Sequence, residues 1–441
     1  MLTGKDIEYI IANEGADVNR LLLKDKGKAD GINLPLCASC IQAREKMKVK
    51  APLWYANPAL AYPFSLSVEQ GSSQATALFK QRIIRGLFQQ HPLPDDLPGG
   101  KAVPLDIRTA DLTGGMGIDS YFISRIAARH YYFERNAELC AAAAWNFRQL
   151  GAGNIVTADA DVTRNGNAAL KELSGKGISL LFIDPARRDS ANGKTILLQD
   201  YEPNILEMLD DLFSVSEYVL VKVSPMADIK LNLKLLPQTI NVYVVAVNNE
   251  CRELLFLLRR PEAPRSCGKG AAEQPYNPSG CGNWKEPRII CANLAGDKET
   301  FRFSFCLSEE ETAAAKYAMR LGEYLYEPGK ALLKGGAYKL ACNRYGLEKL
   351  APSTHLYTGG LHLEDFPGKC FRICESLPFS KKNMKAIASR YPKADLSARN
   401  FPMDTNALKK MSGIRDGGDR HIFVFSLSNG ERTIAVCAPL S

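Results

Sequence analysis

Histidine is scarce in this sequence. The 441 residues include five, His91, His130, His355, His362 and His421, and no two lie at a spacing that lets them share a metal. Cysteine is commoner, with twelve, yet the one close pair, Cys37 and Cys40 in "LCASC", has no second pair to complete a zinc set. No metal is expected, and Cys37 and Cys40 read as buried structural thiols. The remaining cysteines are scattered as far as Cys437 and are expected to be reduced. Long apolar runs are missing too. The start, "MLTGKDIEYI", meets charge within a few residues, and no later stretch has the length of a membrane span or signal peptide, so a cytoplasmic protein is expected. Acidic residues run short in one region. Between Phe366 and Arg420 twelve basic residues face five acids, a net +7 out of +8 for the chain, so nearly all the excess cation sits there.

With 46% hydrophobic residues the chain can bury a large core, and its length exceeds one ordinary domain. Residues 1–97 show helical apolar spacing, as in "DIEYIIANEGADVNRLLLK", and predict a helical N-terminal domain that ends in a hydroxyl-rich turn and a helix, "FSLSVEQGSSQATALFKQRIIRGLF". Over 98–262 short apolar runs alternate with helical stretches: "IRTADL", "YFISRIAAR", "HYYF", "LCAAAAWNFRQLG", "IVTAD", "SLLFID", "EYVLVKV" and "VYVVAVN". That alternation predicts an α/β domain with a mostly parallel, doubly wound sheet, closed by "ELLFLLRR" as a late antiparallel strand. Residues 263–287, rich in Gly and Pro, read as a linker or surface loop. The remainder predicts two α+β parts, 288–368 and 369–441. In these, "ETAAAKYAMRLGEYL" and "ALLKGGAYKLACNRYG" are expected to be helical, "KCFRICESL" a strand, "KKNMKAIASRYP" a basic helix, and "HIFVFSLSNGERTIAVCA" a hairpin.

The densest chemical signal is "DLTGGMGIDS", which follows the first predicted strand, where doubly wound sheets bind their ligands. Gly114, Gly115 and Gly117 allow the backbone to approach a ligand closely. Spacing alone imitates a dinucleotide fingerprint, with Glu134 near the distance of a ribose-binding acid. Charge separates the ligand classes. Asp111 and Asp119 would repel a pyrophosphate but attract a sulfonium or ammonium, by about 4 kcal/mol for a unit pair at ~4 Å and an effective dielectric of ~20. The acidic loop selects the cation.

"DLTGGMGID" resembles motif I of class I S-adenosylmethionine (SAM)-dependent methyltransferases, and "YYFERN", "VTADAD" and "FIDPARR" resemble their second, third and fourth motifs in order. The resemblance implies a Rossmann-like class I methyltransferase sheet with SAM as cofactor. It places the methionine part against Asp111, Thr113, Gly114, Gly115, Gly117 and Asp119, the ribose on Glu134 beside Arg135, and the adenine on Asp159 and the Ala160 backbone, with Asp161 as the alternative acid. "VEQGSSQATALFK" resembles a segment that precedes motif I in several RNA methyltransferases, making Gln70 and Ser73 candidates to close over the cofactor; Ser73 reads equally as a helix cap.

In amino methyltransferases the fourth motif reads Asp or Asn, Pro, Pro, aromatic. Here Asp184 and Pro185 fit, Ala186 replaces the second Pro, and Arg187 stands at the aromatic position, where a guanidinium can stack on a base or pair with phosphate. "DPAR" also occurs in uracil C5 methyltransferases, whose attack needs a cysteine at the next strand end. That stretch is "LVKVSPMAD", with Ser224 and Pro225 and no thiol, and Cys251 comes a strand later. Direct transfer to a base nitrogen is therefore preferred, with Asp184 accepting from the amine, Arg187 and Arg188 on base or phosphate, and Lys222 in an electrostatic role. The segment from about 325 to 441 resembles the ferredoxin-like and THUMP-like modules of bacterial RNA methyltransferases. That implies an RNA partner, rRNA or tRNA, met by Lys381, Lys382, Lys385, Arg399 and Arg415. Two other readings stand beside this one: a methyltransferase of small molecules or proteins, and an RNA-binding protein with an inactive methyltransferase domain.

Overall fold

A computed structural model of the chain describes residues 1–24, 31–89, 104–163, 168–187, 198–261 and 286–440. The predicted linker and the boundary between residues 97 and 98 fall almost wholly outside these. By its internal contacts the chain divides into two compact units: Met1–Val242 with Glu253–Lys285 and Ala295–Lys298, and Tyr243–Arg252 with Glu286–Leu294 and Glu299–Ser441.

The first unit begins with helices α1 (Gly4–Ala12), α2 (Val18–Lys24), α3 (Leu34–Lys50), α4 (Pro52–Tyr55), α5 (Ser65–Gln70) and α6 (Gln74–Phe88). Local chemistry starts them. Thr3 and Asp6 form a reciprocal capping box on α1, and Asp6 also accepts from Asn33 N–H, 2.7 Å, which fixes the start of α3. Cys37 and Cys40 are buried free thiols. Burial pushes their pKa up to about 12 and about 11, and Cys37 Sγ donates to Asp6, the behaviour of structural rather than reactive cysteines.

There follow β1 (Leu105–Asp111), α7 (Ile118–Ser124), β2 (Ala127–Glu134), α8 (Ala137–Gln149), β3 (Ile155–Asp159), α9 (Ala168–Leu173), β4 (Ile178–Ile183), the two-residue strands β5 (Ala186–Arg187) and β6 (Tyr201–Glu202), α10 (Ile205–Val215), β7 (Ser216–Val223), α11 (Ile229–Leu235), β8 (Thr239–Val247) and β9 (Glu250–Arg259). The sheet order is β3-β2-β1-β4-β7-β9-β8, with β3 to β7 parallel and β9 antiparallel to β7. This is a Rossmann-like class I methyltransferase sheet, reversing at β1 and β4 so that a crevice opens beyond their carboxyl ends. One hydrophobic cluster joins Trp54 and Tyr62 of the N-terminal helices to Met116, Phe122, Tyr132 and Phe147 of the sheet region. "AAR" is strand rather than helix: Ala127 already pairs with Leu105, because hydrogen-bonding to β1 overrides local helical preference.

The second unit holds the hairpin end of β8 and β9, with β10 (Arg288–Ala295), β11 (Lys298–Cys306) and α12 (Leu307–Thr312). Its other sheet runs β13-β14-β12-β15-β18-β17-β16, built from β12 (Tyr324–Pro328), α13 (Lys330–Gly335), α14 (Tyr338–Arg344), β13 (Glu348–Ala351), β14 (Thr354–Gly359), β15 (Gly368–Pro378), α15 (Lys381–Arg390), β16 (Asp395–Arg399), α16 (Thr405–Ser412), β17 (His421–Ser426) and β18 (Arg432–Pro439). The basic helix and final hairpin stand where the sequence puts them. Two expectations change. Helix α12 stops at Thr312, because the following chain is drawn out against β13, where Ala318 N–H donates to the Lys349 carbonyl, 2.9 Å, and Gly322 lies too close to the Gly359 carbonyl for any Cβ. "ALLKGGAYKLACNRYG" is two helices, broken at Gly336 with φ +87°.

Candidate active site

Strand β1 delivers Asp111 to the crevice. Its carboxylate is buried and accepts from Ser120 Oγ, 2.6 Å, and Thr113 N–H, 3.0 Å. Burial pushes its pKa up to about 7; the nearby Asp119 and Asp184 act in the same direction, and the two donors oppose. The glycines answer to packing and backbone. A Cβ on Gly114 would lie 2.1 Å from the Tyr132 ring, and one on Gly117 (φ +84°) would lie 2.5 Å from Phe147. Gly115, φ +56°, is different: its Cβ direction is open, with no atom nearer than the Thr113 carbonyl at 3.8 Å.

At the end of β2, Glu134 braces this loop. One oxygen accepts from Gly115 N–H, 2.8 Å, and the other from Asn136 N–H, 2.9 Å. The neighbouring Arg135 pairs with Glu202, 3.1 Å. Asp159 ends β3 in register with Glu134, and Ala160 N–H donates to the Glu134 carbonyl, 3.2 Å. After β4, Asp184 N–H donates to Thr113 Oγ1, 2.7 Å, which ties the fourth motif to the first. Pro185 is buried beside it. Arg187 contributes backbone to β5; its side chain and all of Arg188 lie outside the described residues.

One expectation changes here. Asp119 is not open to a cationic ligand: Lys80, wholly buried, donates to it at 3.0 Å, to Glu253 at 2.9 Å and to Ser72 Oγ at 3.1 Å. Ser73 caps α6, its Oγ accepting from Thr76 N–H, while Ser72 is the residue that reaches the site and donates to Asp119, 2.6 Å. Gln70 is exposed at the end of α5. Lys222 on β7 pairs with Asp184 Oδ2 at 2.5 Å and lies 3.5 Å from Ser72 Oγ. Burial opposes the Lys222 charge, but Asp184, Glu253 and Asp119 outweigh it and raise its pKa above the ordinary value. Ser72, Lys80 and Glu253 are thus site residues that sequence reasoning missed. The available signal was a lysine on the apolar stripe of α6 and a lone acid before "LLFLL".

In the second unit Lys381, Lys382 and Lys385 are exposed on α15, whose other face buries Met384 and Ile387. Arg399 is committed to Glu327 at 2.5 Å, and Arg415 is exposed. Lys409 pairs with Asp416, Arg420 with Asp419 and Arg390 with Glu375, so part of the +7 is neutralised locally. Among the described residues no metal-binding group occurs, and no helix is long and apolar enough to cross a membrane.

The class that this geometry defines is a Rossmann-like methyltransferase fold with an α+β C-terminal part. Residues 324–367 match a ferredoxin-like domain, and residues 368–439 match a THUMP domain-like family. Across its whole length the chain is similar to a solved "putative methyltransferase from Porphyromonas gingivalis W83", at 26% identity and TM-score 0.80, covering 100% of both chains. Smaller parts align with an rRNA methylase from Streptococcus thermophilus (13% identity, TM-score 0.26, 36% of this chain and 90% of that one). A SAM-dependent methyltransferase from Aquifex aeolicus also aligns in part (15%, TM-score 0.30, 44% and 97%). No curated protein matches the sequence.

Proposed function

We propose that this protein is a SAM-dependent RNA methyltransferase that transfers the methyl group directly to a base nitrogen, an exocyclic amine by preference, in rRNA or tRNA. The observation that carries the reading is the bond from Asp184 N–H to Thr113 Oγ1, which sets a carboxylate beside the glycine loop at the switch point of the sheet. The full-length likeness to a methyltransferase fold and the THUMP-like match support the reaction and the RNA partner respectively.

The residues fit the cofactor. Gly115 leaves open space above the loop, and Glu134 keeps lone pairs free to accept ribose hydroxyls while its oxygens hold two backbone N–H groups. Thr113, Gly114 and Gly117 shape the loop, and Asp159 and Ala160 stand at the adjoining strand end. Asp111 and Asp119 hold the loop and α7 from below; neither is a free counter-ion. Bound SAM supplies an electrophilic methyl group. Asp184 then accepts from the substrate amine and turns its lone pair toward the methyl, a task of alignment more than of acid–base help. No cysteine stands after β7, where Ser224 N–H donates to Tyr201 Oη, which favours direct transfer over a covalent C5 route.

Incubation with labelled SAM and total RNA, followed by digestion to nucleosides, tests the reading. Single-turnover rates then test Asp184: Asp184→Ala is expected to slow methyl transfer by about 100-fold or more while SAM affinity stays near wild type, and Asp184→Asn to retain more activity. An Ala variant at the wild-type rate would remove Asp184 from the chemistry.

A further inference from the structure

We propose that Lys222 is a positioning residue for the methyl transfer: its ammonium orients the Asp184 carboxylate so that the other oxygen meets the substrate amine. The inference rests on the methyltransferase reading above.

The surroundings of Asp184 make a cation necessary. Its carboxylate is about one-third exposed, at 34%, and shares the crevice with Asp111 of β1, Asp119 of α7 and Glu253 of β9. Carboxylates in such proximity repel one another unless a cation stands among them. Two lysines offset them, and the geometry divides the labour. Lys80 is enclosed and serves Asp119, Glu253 and Ser72. Lys222 is the ammonium within hydrogen-bond distance of Asp184, at 2.5 Å, and its side chain is 14% exposed. Ser72 Oγ stands between the two lysines and takes no part in holding Asp184. Glu253 adds a second pointer: its Oε2 pairs with Lys80, and its charge acts with those of Asp184 and Asp119 to stabilise the charge on Lys222.

The chemistry needs a carboxylate in this state. As the nitrogen lone pair forms the new N–C bond and the C–S bond breaks with its electrons to sulfur, the nitrogen becomes cationic and then releases a proton to water. A carboxylate held toward the amine N–H favours that change; a rotated one does not. Lys222 acts through Asp184, to which its ammonium is hydrogen-bonded.

The test uses the full chain with Lys222→Met and Lys222→Arg. Calorimetry with S-adenosylhomocysteine is expected to give wild-type affinity within about threefold, since none of the cofactor-facing groups changes. Single-turnover methylation of total RNA by Lys222→Met is expected to fall by about tenfold or more at neutral pH. Lys222→Arg, which keeps the charge and the hydrogen bond to Asp184, should restore most of the rate. Independently of activity, Lys222→Met/Asp184→Asn should unfold at higher urea than Lys222→Met, since the stranded carboxylate is gone. A Lys222→Met enzyme with the wild-type rate, or a double variant no more stable than the single, overturns the assignment of Lys222 alone. A wild-type chain that neither binds S-adenosylhomocysteine nor labels RNA overturns the methyltransferase reading instead.

Discussion

A buried aspartate with a pKa near 7 leaves a mark on stability. Asp111 has its folded-state pKa raised to about 7 from an ordinary value near 4, so between those limits the folded chain binds more protons than the unfolded one. The sign follows: the stabilisation is complete below about pH 4 and is lost as pH rises toward 7, by about 4 kcal/mol at most. Asp111→Asn keeps one amide oxygen to accept from Thr113 N–H, offers its NH2 as a donor to Ser120 Oγ, and removes the titration. Urea unfolding of wild type and Asp111→Asn from pH 5 to 7.5 should show wild type losing stability with rising pH and the variant much flatter; parallel slopes would mean that Asp111 stays ionised. Residue types at this site were readable because each has few chemical uses: Asp184 after an apolar strand, Glu134 at a strand end and the three glycines can be named without coordinates. Their partners could not be read. Ser72 and Ser73 are adjacent hydroxyls, and the turn of α6 decides which one caps and which one reaches Asp119. The charge of the loop misled for the same reason. Asp119 counts as a free anion until Lys80, 39 positions earlier, is brought against it.

Helix α15 gathers function on one face. Met384 and Ile387 bury against the sheet, while Lys381, Lys382 and Lys385 stand exposed and pair with no acid among the described residues. If this face meets RNA phosphate, each contact releases condensed counterion, about 0.7 per phosphate on a single strand and 0.9 on a duplex. Changing all three to Ala should flatten the slope of log binding constant against log salt by about 2 to 3, with helicity retained because Ala is a strong helix former. Fluorescence titration with total tRNA at several salt concentrations measures it; an unchanged slope would show that α15 faces away from the RNA. At this scale the sequence was most legible where period and boundary agree: β1, β3, β4, β7, α8, α15 and the β17–β18 hairpin stand where apolar spacing places them. It failed where pairing to a distant strand overrode local preference. The alanines after Thr312 favour helix, yet Ala318 and Lys349 exchange backbone hydrogen bonds with one another's strand region, a contact that no window of local sequence contains.

Across the first unit, one side chain joins parts of the chain that sequence reading keeps separate. Lys80 lies on α6, among the helices that precede the sheet, and its ammonium is fully enclosed by Asp119 of α7, Glu253 of β9 and Ser72. Its burial is tolerable because all three contacts are hydrogen-bond partners; the cost of desolvating a charge falls due when one member is removed. Lys80→Met leaves Asp119 and Glu253 without their hydrogen-bonded cation, with Lys222 the remaining ammonium nearby, and Glu253 already carries a pKa raised by burial and by Asp119, with Lys80 and Lys222 offsetting. The expected loss is about 3–5 kcal/mol of unfolding free energy. The informative partner is Lys80→Met/Glu253→Gln, which removes one of the stranded charges and replaces it with a neutral acceptor and donor of the same shape. If α6 is held to the sheet by charge, the double variant is more stable than Lys80→Met, with a coupling of about 1–3 kcal/mol in a urea double-mutant cycle. If apolar packing alone holds it, through Phe79, Ile83 and Ile84, which are buried on the same helix, the two losses add and the coupling is near zero. The same cycle reaches function, since Ser72 hangs between Lys80 and Lys222: release of α6 should also lower the single-turnover rate, whereas a Lys80→Met chain that folds and methylates normally would separate the helical segment from the chemistry.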